Sequence, residues 1–70
     1  DWATALAREA RTRLEAGEPE VWKHLADRFE AELLRTALAL THGRRAEAAQ
    51  KLGIGRNTIT RKMQDLGLDD

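Results

Sequence analysis

The stretch Gly55-Arg56-Asn57-Thr58-Ile59-Thr60-Arg61-Lys62 sets hydrogen-bonding side chains almost continuously, with a single large apolar residue among them. A guanidinium presents a planar fork of donors, and a carboxamide presents a donor beside an acceptor. Arg can pair bidentately with guanine O6 and N7, and Asn with adenine N6 and N7. Hydroxyl and ammonium groups suit phosphate oxygens. None of this chemistry works unless the side chains share a face. At 100° per residue along a helix, Asn57, Thr60, Arg61 and Gln64 fall opposite Ile59, Met63 and Leu66. Arg56 lies beside them at the helix start.

The first residues of a recognition helix reach base edges first. Arg56, Asn57 and Arg61, with Thr60 alongside, are the expected base contacts. Thr58 and Lys62 form one flank and are the expected phosphate contacts, together with Arg44 and Arg45 at the start of the preceding segment. Charge supports this division. The 70-residue chain has zero formal net charge, with 12 basic and 12 acidic residues. Residues 44–62 nevertheless hold six basic residues (Arg44, Arg45, Lys51, Arg56, Arg61, Lys62) against Glu47 alone. Acidic residues dominate on both sides, ending in Asp65, Asp69 and Asp70. A positive block on a neutral chain is the pattern of a local polyanion-binding surface; a solvated basic helix face is the plainer alternative.

The elements that must position these residues are helices. There is one Pro, five Gly and no alternating apolar–polar run. The spacing predicts a helix over about Trp2 to Ala16, ended by Gly17. A second, of about six turns, is predicted from Pro19 in its first turn to about Thr41, ended by Gly43. Glu18 and Glu20 suit its positive end. A short Ala-rich helix is expected from Arg44 to Leu52, then a tight turn at Gly53-Ile54-Gly55. The last helix is expected from Arg56 to Leu66, with Leu68 folding back after Gly67. Two short helices joined by a Gly turn, with Ala48 and Ala49 at their crossing, describe a helix-turn-helix.

On the long helix, Trp22, Leu25, Ala26, Phe29, Leu33, Ala37 and Leu40 form one apolar stripe, while Leu34 and Leu38 lie more than 90° away. The second face is expected to pack on the helix-turn-helix. The stripe is expected to meet the first helix and a partner chain, with Leu6, Trp22, Leu25, Phe29 and Leu33 at a dimer interface. A core this small rarely supplies more than about 3–5 kcal/mol, and without Cys no disulfide can help. A symmetric dimer would set two recognition helices ~34 Å apart, matching a palindromic site.

Other chemistry lacks a constellation. There is no Gly-rich phosphate loop and no Ser, and His24 and His42 without Cys do not make a metal site. No acid is embedded among apolar residues as a tuned catalytic group would be. Neither an enzyme nor a cofactor is expected. Trp2, Trp22 and Phe29 are expected at core positions, so a stacking platform for single strands is not. No transmembrane helix or secretory signal is visible. Because the chain starts at Asp1 without Met, it is expected to be a piece of a longer protein.

Thr41-His42-Gly43-Arg44-Arg45, then Ala48-Ala49, then Leu52-Gly53-Ile54-Gly55-Arg56-Asn57-Thr58-Ile59-Thr60-Arg61-Lys62-Met63, resembles the C-terminal Fis-type helix-turn-helix domain of the NtrC family. These are nitrogen regulatory response regulators that activate sigma-54 RNA polymerase. The opening Trp2-Ala3-Thr4 is similar too. Fis itself has Asn where Gly55 stands and Gly where Asn57 stands. Ile59 and Met63 replace the commoner Leu, and Gln64-Asp65 is less basic than usual. The resemblance implies an all-α, four-helix, single DNA-binding domain over residues 1–70, with dimerisation helices in 1–42 and the helix-turn-helix in 43–68. It implies a symmetric dimer on double-stranded DNA, cytoplasmic and nucleoid-associated. It further implies a phosphorylatable receiver and an AAA+ ATPase ahead of this domain in the natural chain. A Fis-like architectural DNA-bending protein and a helical interaction module without DNA are the competing readings. Competition with random DNA separates the first two, and a DNA shift at low salt excludes the third.

Overall fold

The computed structural model describes residues 1–68; Asp69 and Asp70, two members of the acidic C-terminal block, lie outside the described residues. Four helices follow one another: α1 (Trp2–Glu15), α2 (Val21–Leu40), α3 (Arg45–Leu52) and α4 (Arg56–Asp65). There is no strand among the described residues, and no helix there is long and apolar enough to cross a membrane.

The packing core sits at one end. Leu34 and Ala37 of α2 meet Ala48 and Ala49 of α3 and Ile59 and Met63 of α4, with Leu38, Leu52, Ile54, Leu66 and Leu68 around them. The small residues at 48 and 49 are fully buried, which lets α3 cross its neighbours closely. Ala37 therefore belongs to the helix-turn-helix core rather than to the α1-facing stripe expected for it. Its small side chain lies on the border between the two faces of α2, and the closely packed α3 takes it. Leu68 does fold back: its N–H donates to the Met63 carbonyl at 2.7 Å and its side chain joins the core.

The other end is bare. Asp1 caps α1 by accepting a hydrogen bond from the Thr4 N–H at 2.8 Å, but no residue of α1 is buried. What ties it to α2 is the Trp2–Phe29 ring stack, 6.0 Å between centroids, and an ionic cluster. Glu9 accepts from Arg13 at 2.9–3.0 Å and from Arg28 across the helix pair. These guanidiniums, Arg13 foremost, hold the Glu9 carboxyl below the ordinary carboxylate range. Trp2, Trp22 and Phe29 are 68%, 88% and 48% exposed, so in the single chain none of the three is the core residue expected, and Trp22 and Phe29 keep only their expected place on the partner-facing stripe. The reason is that α1 is one thin helix and cannot cover the α2 stripe.

The start of α2 also differs from the expectation. Pro19 and Glu20 lie in the turn, and helical dihedrals begin at Val21. Glu20 has φ 56°, in the left-handed region, which reverses the chain between α1 and α2. Glu18 faces back and pairs with Arg13 at 2.7 Å instead of lying in the first turn of α2. At the other end, α2 stops at Leu40, and His42 with φ 55° precedes Gly43 with φ 82°. Two successive left-handed residues, one of them not Gly, make the corner that aims α3.

Candidate nucleic-acid interface

The corner between α2 and α3 is held by Thr41, the one buried polar residue among those described. Its hydroxyl lies 3.0 Å from the Ala37 carbonyl, 3.2 Å from that of Arg44 and 3.4 Å from that of Leu38. One hydroxyl proton serves three acceptors, each of which has a backbone N–H as well. The Thr41 carbonyl accepts from the Arg44 N–H at 3.1 Å and from Arg44 Nε at 3.0 Å. Thr41 thus sets where α3 begins. The sequence marks it only as a hydroxyl in the last turn before a chain reversal.

The turn between α3 and α4 requires Gly53. Its φ is 81°, and a Cβ there would meet nothing within 4 Å, so the restriction is the backbone angle and not space. With that angle, the Ile54 N–H donates to the Ala49 carbonyl at 3.0 Å and the Gly53 N–H to that of Gln50 at 3.2 Å. This closes α3 with a paired six-to-one and five-to-two bond pattern. Ile54 then seats on the core. Gly55 lies in extended backbone and starts α4 with no side-chain cap.

Ile59 is fully buried and Met63 nearly so, fixing which side of α4 faces inward. On the outer side Arg56, Asn57, Arg61 and Gln64 are exposed, as their spacing predicted. Thr60 is half-buried, and its hydroxyl donates to the Arg56 carbonyl at 3.2 Å. With its proton engaged, Thr60 Oγ1 can only accept from a base edge. Thr58 is half-buried beside Gly55.

The helix starts are chemically unusual. First-turn amides point outward at the positive end of the helix dipole, where anions are favoured. α4 has no acid in its first turn and opens with Arg56; α3 opens with Arg44 at its N-cap and Arg45, and carries Glu47 as the acid of its first turn. Cations at these positions oppose the dipole, and an anion set against them would relieve both. Among the described residues Arg45, Lys51, Arg56 and Arg61 make no ion pair, whereas Arg44 Nε lies 3.3 Å from Glu47. Lys62 is also engaged: its Nζ lies 3.0 Å from Glu30 of α2. No spacing rule pointed to Glu30.

Residues 26–66 match the bacterial regulatory proteins of the Fis family. The chain is 44% identical over 68 residues, 97% of its length, to the DNA-binding transcriptional regulator NtrC of Escherichia coli K12. It is 43% identical over 68 residues to NtrC of Klebsiella pneumoniae, and 41% identical over 69 residues, 99% of its length, to NtrC of Proteus hauseri. It spans only 14–15% of the length of these relatives. No solved structure matches. With a helix-turn-helix built on Gly53 and a Fis-family match over more than half its length, the chain belongs to the Fis family of bacterial regulatory proteins and is a Fis-type DNA-binding domain similar to part of NtrC.

Proposed function

We propose that the chain acts as a homodimeric, sequence-specific DNA-binding domain of an NtrC-type activator of sigma-54 promoters in nitrogen regulation. The observation that carries this reading is the outer face of α4. Arg56, Asn57 and Arg61 stand exposed on a helix whose opposite side is locked by Ile59 and Met63. Arg56, Asn57, Arg61 and Thr60 read base edges. Arg44, Arg45 and Thr58 hold phosphates and fix register. Lys62 joins the phosphate set only by leaving Glu30. The DNA is double-stranded, and the protein works in the cytoplasm on the nucleoid. The receiver, the AAA+ ATPase and the contact with sigma-54 RNA polymerase belong to the longer protein of which this is the reading domain.

The dimer is supported by surface area. The single chain exposes 5406 Å², whereas a folded monomer of its 7.9 kDa mass exposes about 4400 Å². Its Cα radius of gyration is 14.0 Å, against about 11 Å for a compact domain of this length. The excess of roughly 1000 Å² matches the ~800 Å² that each partner loses in a standard interface. Trp2, Leu6, Trp22, Phe29, Leu33 and Leu40 are all exposed, which sets large apolar side chains on the α1–α2 end for a partner to cover. Leu25 lies half-buried among them. Footprinting on the promoter region of the chain's own gene, with random duplex as competitor, tests the function. A protected palindrome that survives competition is expected. Protection that vanishes with competitor would indicate an architectural protein, and no protection at low salt would refute DNA binding.

A further inference from the structure

We infer that Lys62 is a positioning residue: its ion pair with Glu30 pins the recognition helix to the dimerisation helix and sets the angle at which α4 enters DNA. This rests on the DNA-binding reading above. Lys62 Nζ and Glu30 Oε2 are 3.0 Å apart, across 32 residues of sequence, and the two side chains are 34% and 35% exposed. Glu30 lies one helical turn before buried Leu34 and beside buried Ala31, and Lys62 directly precedes buried Met63. The pair therefore sits on the rim of the core, where α2 crosses α4. Among the described residues, Lys62 is the one of the six basic residues between 44 and 62 whose partner lies on another helix.

Its effect follows from lever geometry. α4 has ten residues and is about 15 Å long. Tilting it by ~10° about one end shifts the other by roughly 2.6 Å, which is more than the tolerance of a base hydrogen bond. Such a tilt leaves phosphate attraction nearly intact and spoils the registry of Asn57 and Arg61 with base edges. In a dimer built on α2, it also changes the separation of the two recognition helices. The pair is thus expected to govern discrimination more than affinity.

The test uses the chain as it stands, a duplex site selected by it from a random pool, and random duplex. Lys62→Met and Glu30→Ala should each lower the ratio of specific to random binding about three- to tenfold, the effect of two modest pairs per dimer. The double variant should be no worse than either single, and Lys62→Arg should retain the wild-type ratio. The slope of log K against log[salt] should stay unchanged in all of them. A phosphate role makes the opposite predictions. Lys62→Met would then weaken all sequences alike and make the slope shallower by about 1.8 for two contacts, and Glu30→Ala would tighten binding by freeing a cation. Either of those results overturns the positioning role, as does an unchanged ratio in both single variants. If the wild-type chain selects no site, the DNA-binding reading itself has failed.

Discussion

Replacing Phe29 with Ala should weaken self-association by about three orders of magnitude. Phe29 is 48% exposed in the single chain, in the middle of the bare α2 stripe. An aromatic side chain of roughly 200 Å² then leaves about 100 Å² for a partner to cover. At ~25 cal/mol per Å² this is about 2.5 kcal/mol per protomer. Ala recovers a small part, leaving a loss of about 2 kcal/mol in each of two symmetric copies. The sum of about 4 kcal/mol corresponds to a roughly 10³-fold rise in the dimer dissociation constant. Sedimentation equilibrium over a dilution series measures it directly. Phe29 also stacks on Trp2, so circular dichroism must show that α1 and α2 stay helical in the variant. A dissociation constant within tenfold of wild type would refute the placement of the interface. A wild-type chain that remains a folded monomer at tens of micromolar would refute the dimer altogether.

Asn57→Ala should cost on the order of 1–3 kcal/mol at a selected site, the worth of a bidentate base contact. Its loss on random DNA should be smaller than that of Arg61→Ala, and an unchanged specific-to-random ratio would remove Asn57 from base reading. Arg45→Ala should weaken binding on all sequences alike and make the salt slope shallower by about 1.8 in the dimer; titrations at several salt concentrations check this. Thr41→Val should destabilise by only about 0.5–1.5 kcal/mol in chemical denaturation, because every carbonyl near its hydroxyl keeps a backbone donor; Thr41→Ser should cost less. Glu9 is held below the ordinary carboxylate range chiefly by its hydrogen bond to Arg13. In acid the unfolded chain therefore takes up its proton before the folded one does. Stability from Glu9 is complete above that range and is lost as pH falls through the lowered value. Melting temperatures from neutral pH downward should fall less steeply in acid for Glu9→Gln.

The helix-turn-helix was legible because its signals are local. Gly53 and the Ile59, Met63, Leu66 spacing define the turn and the inward face within about four helical turns of chain. The start of α2 was not legible, because the left-handed Glu20 answers to the need to reverse the chain after α1 and not to any preference of Glu. Ala37 was misplaced because a methyl group on the border of two faces goes with whichever neighbour packs closer. The Glu30–Lys62 pair depends on the crossing of two helices far apart in sequence, and no periodicity encodes that crossing. Trp2 and Trp22 look like core residues by type, and the single chain has nothing with which to cover them.

In the proposed dimer, a helix with no fully buried residue makes folding itself sensitive to dilution. α1 has no buried residue, so its amides gain lasting protection from solvent exchange only when a second surface arrives. The cluster around Ile59 and Met63 is complete within one chain. Hydrogen exchange should therefore divide α2 along its length. Amides near Trp22 should slow as protein concentration rises, and those near Leu34 should keep their rates. Below the dimer dissociation constant, the chain would consist of an ordered reading head trailing a fraying N-terminal arm. Occupied DNA, by holding two heads side by side, would raise the local concentration of those arms and complete the fold on the site.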